Sequence, residues 1–205
     1  ACREEVLMIS PSLGVRDFNE TCDWLFNIWP HDDILSAKLG KYLNEKGFRK
    51  IAILGSLQEW EKTQASAVKN GFEKAGGNVV SFELPAQDEK DFRLEATKIK
   101  QANLDAVVFT NFAYEHLSAK RLREQGIAVP FYSVLMDDDR IKGAEGAFEG
   151  AVVISSFTPS QGFQEKFLKT YNMSPDISSD TTYDSVILIK EAIEKTNSFD
   201  PKDIK

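Results

Sequence analysis

Four short apolar runs constrain this chain more than any other feature: "KIAIL" at 50–54, "DAVVFT" at 105–110, "PFYSVL" at 130–135 and "GAVVISSF" at 150–157. A strand with one face in water alternates apolar and polar residues, and the AVVF and AVVI cores of two of these runs do not alternate. They suit parallel strands covered on both faces. The intervening segments supply the covers. Asp33 can cap a helix in which Leu35, Leu39, Tyr42 and Leu43 share a face before Gly47 ends it. Ala65, Val68, Phe72 and Ala75 form a stripe that predicts a helix from Thr63 to Gly76, and "NVVSFELP" at 78–85 follows as a strand. Asp91 leads a helix carrying Phe92, Ile99 and Ala102, and another runs from Glu115 to Gln125. The alternation predicts an α/β fold with a doubly wound, Rossmann-like parallel sheet.

The two ends of the chain read differently. "VLMIS" at 6–10 and "WLFNIW" at 24–29 are strands, while beyond Pro159 and Gly162 one helix centres on Phe163, Phe167 and Tyr171 and another runs from Tyr183 through Ile187 to Ile193. No strand follows either helix. Amphipathic helices with no sheet of their own belong to another layer, so we expect a truncated chain. Cys2 and Cys22, the only cysteines, each shortly precede one of the end strands, which sets them side by side. A disulfide in an oxidising compartment and two separate buried thiols both fit that placement. Ala1 opens without the basic, apolar and small-residue succession of a secretion leader, so any leader is expected to have been removed or left out.

Composition narrows the partners. With 42% hydrophobic and 28% charged residues among 205, the chain can bury a good core, and no apolar run approaches the roughly 18 residues of a membrane span. We expect no direct membrane span. The net charge of −7 repels polyanions, and no Lys/Arg cluster interleaved with aromatics offsets it, so nucleic acid is not an expected partner.

The usual chemical motifs are missing. "GSLQEWEK" at 55–62 lies where α/β proteins cradle phosphate, yet neither GxGxxG nor GxxxxGK[ST] occurs; Gly55 stands alone and Trp60 follows. His31 and His116 belong to no metal-ligand spacing, and no GxSxG elbow positions a serine nucleophile. No cofactor, metal or enzymatic activity is expected. Asp137, Asp138 and Asp139 sit just past a strand end and read either as a solvated turn into a helix or as a place for a hard cation or ammonium group; charge runs are more often the former.

"VLMISPS" at 6–12, "KIAIL", the Asp91-Phe92 pair with "ATKIKQANLDAVVFT" at 96–110, "FEGAVVISSF" at 148–157, "FLKTYN" at 167–172 and "TTYDSVILIKEAIEKT" at 181–196 together resemble the type I periplasmic binding proteins. The similarity is greatest to the leucine/isoleucine/valine-binding group that serves ABC transporters. It runs in order from about Val6 to Thr196. The resemblance implies two doubly wound lobes with a ligand clamped between them. Residues 1–27 and 159–205 would belong to a first lobe that is only partly present, and 28–158 to a nearly complete second lobe, making the chain an internal fragment. It further implies a periplasmic or extracellular protein, lipid-anchored or free, that hands a small molecule to an ABC permease without catalysis; a ligand-sensing regulator of the same fold is the alternative. Flexing between lobes would occur at Asn27–His31, around Pro30, and at Ser155–Pro159.

The resemblance also supplies candidate ligand contacts. A family Tyr falls at Trp60 and another near Phe112, so aromatic surface is kept while the phenolic hydroxyls are lost. Trp60 equally suits a packing role over the helix that follows, and Phe112 suits packing under the adjacent loop better than a ligand contact. The acidic residue that receives an amino acid's ammonium aligns near Leu135, with Asp137 two residues on. In the first lobe the polar grip resembles Ser12-Leu13-Gly14, with Gly14 where Thr is usual. Stripped of most of its polar clamp, such a site disfavours a plain branched-chain amino acid and suits an aromatic or less polar compound.

Overall fold

The computed structural model describes residues 1–155 and 158–205. Ser156 and Phe157, which end the strand expected at 150–157 and fall in the expected hinge at 155–159, lie outside the described residues. Contacts group the chain into one unit of Ala1–His31 with Phe157–Lys205 and a second of Asp32–Ser156.

In the first unit a disulfide joins Cys2 to Cys22, with Cα atoms 6.0 Å apart. Strand β1 (Met8–Ser10) pairs in parallel with β2 (Leu25–Asn27), setting Ile9 opposite Phe26. Helix α1 (Arg16–Glu20) connects them and was not expected. Five residues are too few to display a helical period, so no apolar stripe announces it.

The second unit contains α2 (Asp32–Glu45), β3 (Lys50–Leu54), α3 (Glu59–Lys74), β4 (Asn78–Glu83), α4 (Arg93–Gln101), β5 (Ala106–Phe109), α5 (Glu115–Glu124), β6 (Phe131–Ser133), α6 (Asp138–Gly143) and β7 (Val152–Val153). All five strands are parallel, in the order β4-β3-β5-β6-β7. The twofold period of a strand divides each between two cores. Ile51, Ile53, Ala106 and Val108 pack with Leu39, Leu43, Val68 and Phe72 on one face. Ala52, Leu54, Val107 and Phe109 pack with Phe92, Ile99, Leu122, Phe131 and Phe148 on the other. Burying each such side chain contributes about 1.5–3 kcal/mol before entropy is counted. Glycine lets α2 and α3 touch backbone to backbone: a Cβ on Gly40 would lie 2.3 Å from the Val68 carbonyl oxygen, and one on Gly71 would lie 2.2 Å from that of Ala37.

Two expectations need correction here. Helix α3 begins at Glu59 rather than Thr63, because the Gln58 side chain caps it by accepting from the Trp60 N–H at 2.9 Å and that of Glu61 at 3.4 Å. The AVVI run is not covered on both faces: Val152 is 44% and Val153 39% exposed. Among the described residues strand β7 pairs with β6 alone, and an edge strand of two residues leaves little for a helix to cover.

The first unit resumes with α7 (Gln161–Tyr171), α8 (Ser179–Thr196) and α9 (Pro201–Ile204). The Ser160 hydroxyl caps α7 by accepting from the Phe163 N–H. Phe163 meets Tyr183 edge-on at 5.7 Å, and Lys202 pairs with Glu5 at 2.7 Å.

Candidate ligand-binding site

The sheet order places β3 and β5 side by side while their crossovers leave in opposite directions. Such a switch point opens a crevice at the carboxyl ends of the strands, where open α/β sheets take ligands. Three loops meet there, after β3, β5 and β6. Gly55 permits their approach, since a Cβ would lie 2.7 Å from Thr110 Oγ1 and 2.8 Å from Leu84 Cδ2. The Thr110 hydroxyl donates to the Glu61 carbonyl at 3.0 Å. The lone glycine therefore serves close packing, and its surroundings are filled where a phosphate cradle would be open.

Trp60, expected in a loop, stands instead on the first turn of α3. Phe112 occupies a 3-10 turn, Phe112–Tyr114, just after β5. Their rings meet edge-on at 5.9 Å, worth about 0.5–1.5 kcal/mol beyond area burial. The Arg140 guanidinium lies over the Phe112 ring, its Cζ 3.9 Å from the centroid, and its Nε donates to the Phe112 carbonyl at 2.9 Å. Asp137 caps α6 by accepting the Arg140 N–H at 2.8 Å through Oδ1, while its Oδ2 accepts from Arg140 Nη1. Arg140 thus ties the β6 loop to the β5 loop. It was not foreseen; its only sequence signal is a basic residue three after a capping aspartate.

Beneath this layer lie two buried carboxyl groups that the sequence did not reveal. Glu61, 2% exposed, accepts from the Ser56 hydroxyl and, at 3.2 Å, from the Ala113 N–H. Burial raises its pKa from the ordinary value, partly opposed by those donors and by Arg140. Glu115, fully buried, has its Oε2 2.8 Å from Ser133 Oγ, which is also 2.8 Å from the Leu135 carbonyl oxygen. A hydroxyl has one hydrogen and a carbonyl can only accept, so both contacts are satisfied when Glu115 carries the proton. Burial agrees, pushing that carboxyl well above the usual range. Helix position gives no hint of either role, because an acidic residue in a first turn is ordinarily solvent-facing.

The remaining expected residues disperse. Asp138 and Asp139 are exposed while Asp137 is engaged with Arg140, and among the described residues no group of three His, Cys, Asp or Glu converges to hold a metal. Leu135 is half-buried beside Asp137. His116 packs against Gly143, with burial and then Arg140 lowering its pKa; His31 meets Asn19 at 2.9 Å. In the first unit Ser12 is exposed, Leu13 half-buried and Gly14 buried. The Asn27 amide, at the foot of an expected hinge, donates to the carbonyls of Leu13 and Trp29. Pro30 and Ser155 are exposed, and Pro159 precedes the cap of α7.

A family model described as periplasmic binding protein matches residues 1–205. The leucine-, isoleucine-, valine-, threonine- and alanine-binding protein of Pseudomonas aeruginosa is 24% identical over 98% of this chain, which spans 57% of that relative. A leucine-binding protein of Thermotoga maritima superposes with a TM-score of 0.89 at 19% identity, over 98% of this chain and 61% of its own. A Rhodopseudomonas palustris solute-binding protein in complex with benzoate gives 0.86 at 17% identity, over 98% and 59%. With the family model covering every residue and the doubly wound sheet in place, the chain belongs to the periplasmic binding protein family.

Proposed function

We propose that this protein binds an amino acid or aromatic acid, without altering it, for delivery to the permease of an ABC importer. The Trp60–Phe112 pair carries this reading, since it offers aromatic surface at the switch point, where open α/β sheets favour a ligand. Leu135 follows β6 where the family resemblance expects an acidic residue, so the site lacks a carboxylate for an ammonium group there. We take the ligand to have an apolar or aromatic body, with Trp60, Phe112, Leu135 and Asp137 as its contacts in the second unit; Ser12, Leu13 and Gly14 stay candidate contacts of the first unit on the family resemblance alone. The serines nearest the buried carboxyls, Ser56 and Ser133, are 3% and 0% exposed, which argues against their acting as nucleophiles. The Cys2–Cys22 disulfide suits an oxidising, periplasmic setting, and among the described residues no helix is long and apolar enough to cross a membrane. We also assign residues 1–27 and 159–205 to one lobe and 28–158 to the other, with Asn27, Pro30, Ser155 and Pro159 as hinge residues.

Calorimetry on the full-length protein with branched-chain amino acids, aromatic acids and small amides tests this. Binding of an aromatic ligand, lost about tenfold or more in Trp60→Ala, is the expected result. Tighter binding of leucine or valine than of any aromatic compound would overturn the assigned ligand class.

A further inference from the structure

We infer that Arg140 receives a carboxylate, making the ligand a flat or apolar body that carries an anionic group and no ammonium. The inference rests on the proposed binding role and deepens it. Three observations carry it. The guanidinium is stacked on Phe112, which is in turn in edge contact with Trp60, so the cation is built into the aromatic layer rather than trailing into solvent. Its orientation is fixed from two sides, with Nε on the Phe112 carbonyl at 2.9 Å and Nη1 on Asp137 Oδ2. Among the described residues nothing accepts from Nη2, and the side chain remains 25% exposed. A planar fork held by two contacts, with its remaining edge unmet, presents donors in the geometry that suits a carboxylate.

The nearby acids do not reverse that preference. Asp137 has both oxygens engaged by Arg140 and a side chain only 9% exposed, so its charge is turned inward. Glu115 is fully buried with its Oε2 2.8 Å from the Ser133 hydroxyl, and Glu61 has both oxygens engaged by the Ser56 hydroxyl and the Ala113 N–H. Leu135 offers no side-chain acceptor. An ammonium group would therefore meet donors, while a carboxylate would meet a preorganised one.

Matched probes that differ only at the polar group test the assignment: benzoate, benzamide and benzylamine, titrated calorimetrically into the full-length protein. Benzoate is expected to bind about tenfold or more tightly than benzamide, with benzylamine weakest. Arg140→Gln should lower benzoate affinity about tenfold or more and leave benzamide within about twofold, thereby erasing the discrimination. Because Arg140→Gln also leaves Asp137 without its partner, Arg140→Lys serves as a second variant. It keeps the charge, loses the fork, and should give an intermediate loss for benzoate alone. Benzamide binding the unaltered protein as tightly as benzoate, or both probes weakening in parallel in the two variants, would overturn the role of Arg140 while leaving ligand binding intact. Failure of every aromatic and amino-acid probe to bind would instead sink the binding role itself, and this inference with it.

Discussion

The two units of this chain carry similar sequence patterns and differ sharply in burial. Among the described residues, every buried apolar side chain, from Leu39 to Phe148, lies in the second unit. Helices α7 and α8 of the first unit have apolar stripes as clear as that of α3, yet Leu168 is 52%, Tyr171 62% and Val186 64% exposed. In α8 only Thr181 and Ser185 are buried, and in α7 nothing is. The contrast shows that an amphipathic stripe reports a need for cover rather than its presence. Stability then comes from different sources: two hydrophobic layers in the second unit, and a disulfide, caps and ring contacts in the first.

Deleting core volume should break this comparison most strongly. Phe72 is fully buried between the sheet and α2, and Phe72→Ala should cost about 3–5 kcal/mol. Phe163→Ala in the first unit removes only ring contacts with Phe167 and Tyr183 and should cost at most about 1.5 kcal/mol. Hydrogen exchange followed by mass spectrometry reads the units separately. Equal loss of protection from the two substitutions would show that the first unit has a core of comparable worth.

The disulfide sharpens the comparison from the other side. It closes a loop of 20 residues that contains β1 and α1, and in the chain-entropy account a loop of that size contributes about 3 kcal/mol. Reduction, or Cys2→Ser with Cys22→Ser, should accelerate exchange in Met8–Asn27 while β3, β5 and β6 stay protected. A reduced protein with unchanged exchange throughout would mean that the first unit is held by something other than its cross-link.

How much of this was legible follows the same division. Strands β3, β5 and β6 were readable because residues buried on two faces must be continuously apolar, and "KIAIL" and "AVVF" satisfy that with nothing polar inside. The start of α3 was not, because Gln58 caps it through a side-chain oxygen and its first turn holds Glu59, Trp60 and Glu61 ahead of the apolar stripe. Trp60 and Phe112 could be placed at strand ends from sequence, whereas their ring contact joins loops far apart in the chain and appears only in three dimensions. Arg140 and the two buried glutamates escaped for a shared reason. Charged residues are read as solvent-facing by default, and only three-dimensional partners such as Ser133 and the Ala113 N–H make an interior place for them.

Those glutamates give the smallest of the expected effects and the most specific one. Glu115 faces Ser133 from β6, Asp137 and Arg140 from the loop and start of α6, and Glu61 from α3. Burial above all opposes its charged form, as do Asp137 and Glu61, while the Ser133 hydroxyl and Arg140 favour it. Its folded pKa therefore lies above the unfolded value, ordinarily 4.5, and above that pH the unfolded chain releases a proton that the folded chain keeps. Stability must then fall as pH rises from that value toward the folded pKa, by at most about 1.4 kcal/mol per pH unit for one group. Glu115→Gln keeps an N–H donor toward Ser133 and has no proton to lose, so its unfolding free energy should be flatter above pH 4.5 and converge on the parent curve below it. Urea titrations across that range decide the matter. Parallel curves for parent and variant would mean that Glu115 is ionised in the folded protein, and that the single Ser133 hydrogen points to it rather than to the Leu135 carbonyl.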